Sequence, residues 1–143
     1  HALAMSIWAD GGEPSRHNWI PSLLYAAFIA SMSHRSLEGV HVPINVNFFH
    51  PLEYAVLAIF FCWSGSAVLI SGKISRLFFM VVACGFAFAV LDELHQFFIP
   101  GRAATLVDLV LDLIGLCLGC CIFFIGRQLR NSVVRDRPAI AAR

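Results

Sequence analysis

Four apolar stretches, Trp19 to about Met32, Pro51 to about Ser71, Leu77 to Ile99 and Thr105 to Ile125, dictate most of what this chain can become. A helix crossing a bilayer needs ~20 mostly apolar residues. The last three stretches meet that length, and the first needs residues on either side. Only 13% of the chain is charged and 59% is hydrophobic, with a mean hydropathy of +0.77. A soluble domain carries about 25% charged residues, so lipid is the expected solvent. The fold class expected is an all-α membrane protein, a four-transmembrane-helix bundle.

Three segments follow. Residues 1–18 combine His1-Ala2-Leu3-Ala4, read as an expression scar before Met5, with a polar N-terminal segment; no cleavable signal peptide is expected. Residues 19–126 are the membrane domain, and residues 127–143 form a basic tail, flexible from about Asn131. Lys and Arg in short loops orient the spans. Arg16, Lys73, Arg76, Arg127, Arg130, Arg135, Arg137 and Arg143 lie on one side, against Arg35 and Arg102 on the other. Eight against two places both termini in the cytoplasm and the polar end of the spans at the extracytoplasmic face of the inner membrane.

Net charge is only +1, with no basic stripe or nucleic-acid motif, so nucleic acid is excluded as a partner. Cys62, Cys84, Cys117, Cys120 and Cys121 all sit in apolar runs and read as soft packing residues, not a disulfide framework. His17, His34 and His41 read as solvated.

Five of the nine acidic residues gather at one level. Glu53 opens the second span with His50. Asp92, Glu93, His95 and Gln96 lie in the outer part of the third, and Asp108 and Asp112 in that of the fourth. At 1.5 Å per residue, Asp92 lies ~10 Å below Ile99 and Asp112 ~10 Å below Thr105. Ionisable groups at such depth face a bundle interior or an aqueous cavity.

Local alternatives accompany each residue. Asp108 and Asp112 share a helix face, which continues into the small-residue pair Gly115 and Gly119, suited to close helix approach. Thr105 and Asp108 also read as a near capping box. Glu53 sits in a first turn opened by Pro51, where a carboxylate complements the helix dipole. His50 and Glu53 form HxxE, which suits acid–base work or metal ligation. Asp92 and Glu93 point ~100° apart, so one lines a cavity while the other meets a neighbouring helix. Gln96 reaches either of them, and His95 is a rim residue. Arg102, after Pro100-Gly101, is a phosphate fork, a snorkelling anchor or a partner for Asp108.

At "HPLEYAVLAIF" (His50 to Phe60), "DELHQFFIPGR" (Asp92 to Arg102) and "DLVLDLIGLCLG" (Asp108 to Gly119) the chain resembles the VanZ-like family of small bacterial integral membrane proteins. Three motifs match in order and spacing: H-x-x-E-Y, D-E-x-x-Q-x-x-x-P-G-R, and D-x-x-x-D/N-x-x-G. The likeness covers about residues 20 to 126, and "FIASMS" (Phe28 to Ser33) is a weaker match. Val46 and Asn47 depart from it, standing where many members carry a basic residue or an Asp-Lys pair. The resemblance implies an envelope role related to resistance against teicoplanin.

The expected site acts on the head group of a membrane lipid or lipid-linked envelope precursor. Its acid–base set is His50, Glu53, Asp92, Glu93, Gln96, Asp108 and Asp112. Arg102, Tyr54 and His95 contact the substrate, and Glu93, Asp108 and Asp112 offer ligands to a divalent cation as cofactor. Whether a reaction occurs stays open. One alternative is a lipid-binding or accessory protein whose polar cluster is structural; another is a proton- or ion-coupled transporter.

Overall fold

A computed structural model describes residues 19–36, 49–68 and 74–141, all helix, turn or coil among the described residues. Four helices follow in order: α1 (Ile20–Ser33), α2 (Phe49–Val68), α3 (Ile74–Gln96) and α4 (Leu106–Ala141). Trp8, His17, His41, Val46, Asn47 and Lys73 lie outside the described residues.

Local chemistry sets the helix ends. Pro21 and Pro51 fall in first turns, where a missing N–H costs nothing. Beyond α3, the N–H groups of Phe97, Phe98 and Ile99 donate back to Glu93, His95 and Gln96. The helix stops because Pro100 cannot continue it and Gly101 turns left-handed at φ 77°. The Arg102 N–H closes the turn onto the Ile99 carbonyl at 3.1 Å. Thr105 then caps α4, its hydroxyl accepting the Asp108 N–H at 3.1 Å.

α4 runs 36 residues, ~54 Å at helical rise, so helix replaces the flexible tail expected from Asn131. No Gly or Pro interrupts Arg127 to Arg137, and the Arg, Gln and Leu there are good helix formers. Two helices, Ile74–Gln96 and the Leu106–Val134 part of α4, are long and apolar enough to cross a membrane.

Beside an apolar core, carboxylates are buried while large apolar side chains stay on the outside. Phe98 is 72% exposed and Leu91 64%, while Asp112 is 1% exposed. Inside, Ile29, Tyr54, Leu57, Ala58, Cys62, Leu77, Val81, Ala89, Leu116 and Cys120 form one apolar core.

Successive helices alternate in direction. Ser22 bonds Ser64 at 2.6 Å and Tyr25 meets Phe60, an antiparallel α1–α2 pair. A Cβ on Gly115 would collide with the Pro51 backbone, and one on Gly119 with that of Ala55. The 51–115 and 55–119 register makes α2 and α4 parallel and brings their backbones together, the close approach expected of the glycine pair. Gly85 packs on Leu116 and Glu93 reaches Thr105, an antiparallel α3–α4 pair. α2, α3 and α4 are mutual neighbours.

Candidate functional site

Polar side chains collect at the end of the bundle where α2 and α4 begin and α1 and α3 finish. His50, Asp92, Glu93, Gln96, Asp108 and Asp112 are all buried there, and Glu53 is half-buried. They divide into two hydrogen-bonded groups.

The first group joins α1 to α3. Ser33 donates to Asp92 Oδ2 at 2.7 Å, and Gln96 Nε2 donates to the same oxygen at 2.9 Å. Gln96 thus serves Asp92, four residues back, rather than Glu93. Arg102 donates through Nη2 to the Met32 carbonyl at 2.8 Å, through Nε to the Arg35 carbonyl at 3.3 Å, and through Nη1 to Gln96 Oε1 at 3.4 Å. Met32 lies in the last turn of α1 and Arg35 two residues past its end, where carbonyls run short of helical partners. Arg102 therefore caps α1 and does not pair with Asp108. Three of the five N–H donors of a guanidinium are used, leaving two.

The second group joins α2, α3 and α4. His50 Nδ1 lies 3.0 Å from Asp112 Oδ1, an ion pair when the imidazole is protonated. Glu93 Oε2 accepts the Thr105 N–H at 3.1 Å, and Thr105 Oγ donates to Asp108 Oδ2 at 2.7 Å. The expected capping box is thus half formed. Asp108 gives its N–H to the Thr105 hydroxyl, but the Thr105 N–H goes to Glu93 of another helix. Glu53 makes no hydrogen bond among the described residues, yet lies within electrostatic reach of His50, Asp92, Asp112 and Arg102.

Among the described residues, three buried oxygens have no partner: Tyr54 Oη, Glu93 Oε1 and Asp108 Oδ1. One comes from each of α2, α3 and α4. Tyr54 is 1% exposed with its ring against Phe88, and lies within electrostatic reach of Asp92, Asp112, Glu53 and Glu93. Buried polar atoms are nearly always hydrogen-bonded, so three orphans from residues within electrostatic reach of Asp112 point to a guest.

Ligand atoms of His50, Glu93 and Asp112 lie within 4.8 Å of one another. This grouping shares Glu93 and Asp112 with the expected cation set of Glu93, Asp108 and Asp112 and has His50 as its third member. The Thr105 hydroxyl draws the Asp108 carboxylate toward the cap, and His50 takes its place.

His95 is exposed, as a rim residue should be, but His34 is not merely solvated. Their rings stack at 5.3 Å, with Nδ1 of His34 3.1 Å from Nε2 of His95. Sequence reasoning also missed Ser33 as the Asp92 donor. "FIASMS" held the only signal for it, and nothing local marks His34.

Large hydrophobics exposed outside, carboxylates buried inside and two helices long and apolar enough to cross a membrane point to a helical membrane protein with an internal polar site. The chain belongs to the VanZ/LLP1 family, whose model matches residues 4–127. No curated protein and no solved structure matches the chain.

Proposed function

We propose that the four helices cross the bacterial inner membrane as a four-span bundle with both termini in the cytoplasm. The polar site then opens toward the extracytoplasmic leaflet and engages the head group of a lipid or lipid-linked envelope intermediate. The eight-to-two distribution of basic residues supports the orientation, and alternating helix direction supports the span count. The observation that carries the head-group reading is that three buried oxygens, from Tyr54, Glu93 and Asp108, have no partner among the described residues, while all three residues lie within electrostatic reach of Asp112.

Within that site the His50–Asp112 pair is central, with Glu93, Asp108 and Glu53 around it. Asp92 and Gln96 belong to the α1–α3 group beside it and steady the wall. Arg102, with two N–H donors uncommitted, contacts a phosphate at the mouth, and His95 stands on the rim. The excess of carboxylates calls for positive charge, supplied by the head group or by a cation.

Mass spectrometry of lipid retained by protein purified in native-membrane nanodiscs tests the reading. A lipid class enriched over bulk membrane, and lost from folded Glu93→Gln, supports it. Bulk composition in the wild type, or equal retention by the variant, sinks it. Impermeant maleimide labelling of Ala103→Cys in a cysteine-free background tests orientation; reaction only in broken cells overturns it. The family resemblance extends the proposal to teicoplanin resistance, read as the inhibitory concentration with and without expression.

A second reading rests on the Arg102–Gln96–Asp92–Ser33 chain. Each of its members is hydrogen-bonded, so this half of the polar cluster works as scaffold without any ligand. Ion or proton movement fares less well. Below the site, the core among the described residues is the apolar set Leu57, Ala58, Cys62, Leu116 and Cys120, with the Ser22–Ser64 hydroxyl pair as a polar contact beside it.

A further inference from the structure

We infer that His50, Glu93 and Asp112 form a mononuclear site for a first-row transition ion of the zinc or manganese class, with Tyr54 and Asp108 facing a water bound to that ion. The inference deepens the head-group reading and rests on the same pocket.

Charge is the first argument. Glu93, Asp108 and Asp112 are buried together, and His50 is the cationic partner among the described residues that reaches them. Arg102 is turned to α1 carbonyls and Gln96. Three buried carboxylates facing one imidazolium leave negative charge uncompensated, which the interior of a membrane protein does not tolerate.

Protonation alone does not repair this. A neutral carboxylic acid places an O–H on one of its oxygens, and that O–H needs an acceptor. Glu93 Oε1 and Asp108 Oδ1 have no partner of either kind, and the Tyr54 hydroxyl has no acceptor. A bare water would serve the hydrogen bonds but bring no charge. A divalent ion carrying a water does both: with His50 bound as neutral imidazole, the ion cancels two of the three carboxylate charges where an imidazolium cancels one, and its water accepts from Tyr54 and donates to Asp108.

Ligand chemistry selects the ion. An imidazole nitrogen with two carboxylates suits zinc, manganese or iron, whereas calcium and magnesium take all-oxygen sets. Three protein ligands with a water position is the pattern of sites that do chemistry. The site is also braced. The Thr105 N–H holds the second Glu93 oxygen, the outer support typical of ligating carboxylates. The contact of Gly115 with Pro51 pins α2 to α4 beside His50 and Asp112.

The test uses the full chain in nanodiscs, stripped with chelator and titrated with Zn²⁺, Mn²⁺, Mg²⁺ or Ca²⁺. Bound metal is counted by elemental mass spectrometry after desalting. The inference expects about one Zn²⁺ or Mn²⁺ per chain, at least ~10-fold tighter than Mg²⁺ or Ca²⁺. Binding is lost in Glu93→Gln and Asp112→Asn and kept in Cys120→Ser, which separates this site from the buried thiols. Pulsed EPR of the Mn²⁺-loaded wild type should show coupling to one imidazole ¹⁴N, a readout that needs no variant to fold. No stoichiometric ion in folded wild type, retention in both carboxylate variants, or no nitrogen coupling overturns it. A bound ion without retained lipid removes the head-group reading alone; retained lipid without an ion removes this inference alone.

Discussion

His50 Nδ1 stands 3.0 Å from Asp112 Oδ1, a contact set by backbone rather than by side-chain reach. Pro51 follows His50, and Gly115 lies three residues beyond Asp112 on the same face. Because Gly115 has no Cβ, α4 settles against the Pro51 carbonyl, and the imidazole and carboxylate are delivered to each other within the bundle. The small-residue pair and the polar site are therefore one feature: the glycines set the spacing that the chemistry uses.

Breaking that pair from one side should cost more than removing it. His50→Phe strands a carboxylate that is 1% exposed, a loss of about 3–5 kcal/mol in systems where a buried partner is deleted. The double change His50→Phe with Asp112→Leu should recover most of it. Unfolding in detergent followed by tryptophan fluorescence measures both. Equal loss in single and double variants would show that the pair is not energetically coupled.

Alanine at the helical glycines should separate by what a Cβ meets. Gly126 has nothing within 4 Å, so Gly126→Ala should be neutral or stabilising by up to about 1 kcal/mol. Gly115→Ala and Gly119→Ala drive a methyl into the backbones of Pro51 and Ala55 and should cost about 1–3 kcal/mol, at the upper end because backbone yields poorly. Gly85→Ala meets only the Leu116 side chain and should fall between.

Lysine should not replace Arg102. The guanidinium spans the Met32 and Arg35 carbonyls and Gln96 at once; an ammonium is a point charge without that fork. Arg102→Lys should loosen the end of α1, seen as faster amide hydrogen exchange at His34 and Arg35, while exchange in the middle of α2 stays unchanged.

The thiols of Cys62 and Cys120 touch at 3.6 Å in the core. A membrane-permeant oxidant should therefore join them, since a disulfide needs ~2.05 Å between sulfurs and only small rotations close the gap. The readout is a Cys62–Cys120 linked peptide by mass spectrometry, absent in Cys62→Ser. A different pairing as the main product would refute the α2–α4 register.

Much of the site was legible before any coordinates. Asp112 lies too deep in an apolar stretch to be solvated, and it is buried. Asp92 and Glu93 had to diverge, because adjacent helical residues point ~100° apart; one meets Ser33 of α1 and the other Thr105 of α4. The half-formed capping box shows where such reasoning stops. Spacing offered Asp108 the Thr105 N–H, but Glu93 arrived from another helix and took it.

Apart from the end of α4, which runs on to Ala141, the sequence by itself determined the four apolar helices and which face of each carries polar groups. These follow from hydropathy, from Pro and Gly, and from a 100° step that acts within a few residues. Tertiary structure alone decided partnership: His50 with Asp112 rather than Glu53, Arg102 with α1 rather than Asp108, His34 with His95. Such choices depend on how helices rotate and how closely their backbones approach, quantities summed over whole interfaces and written in no single motif.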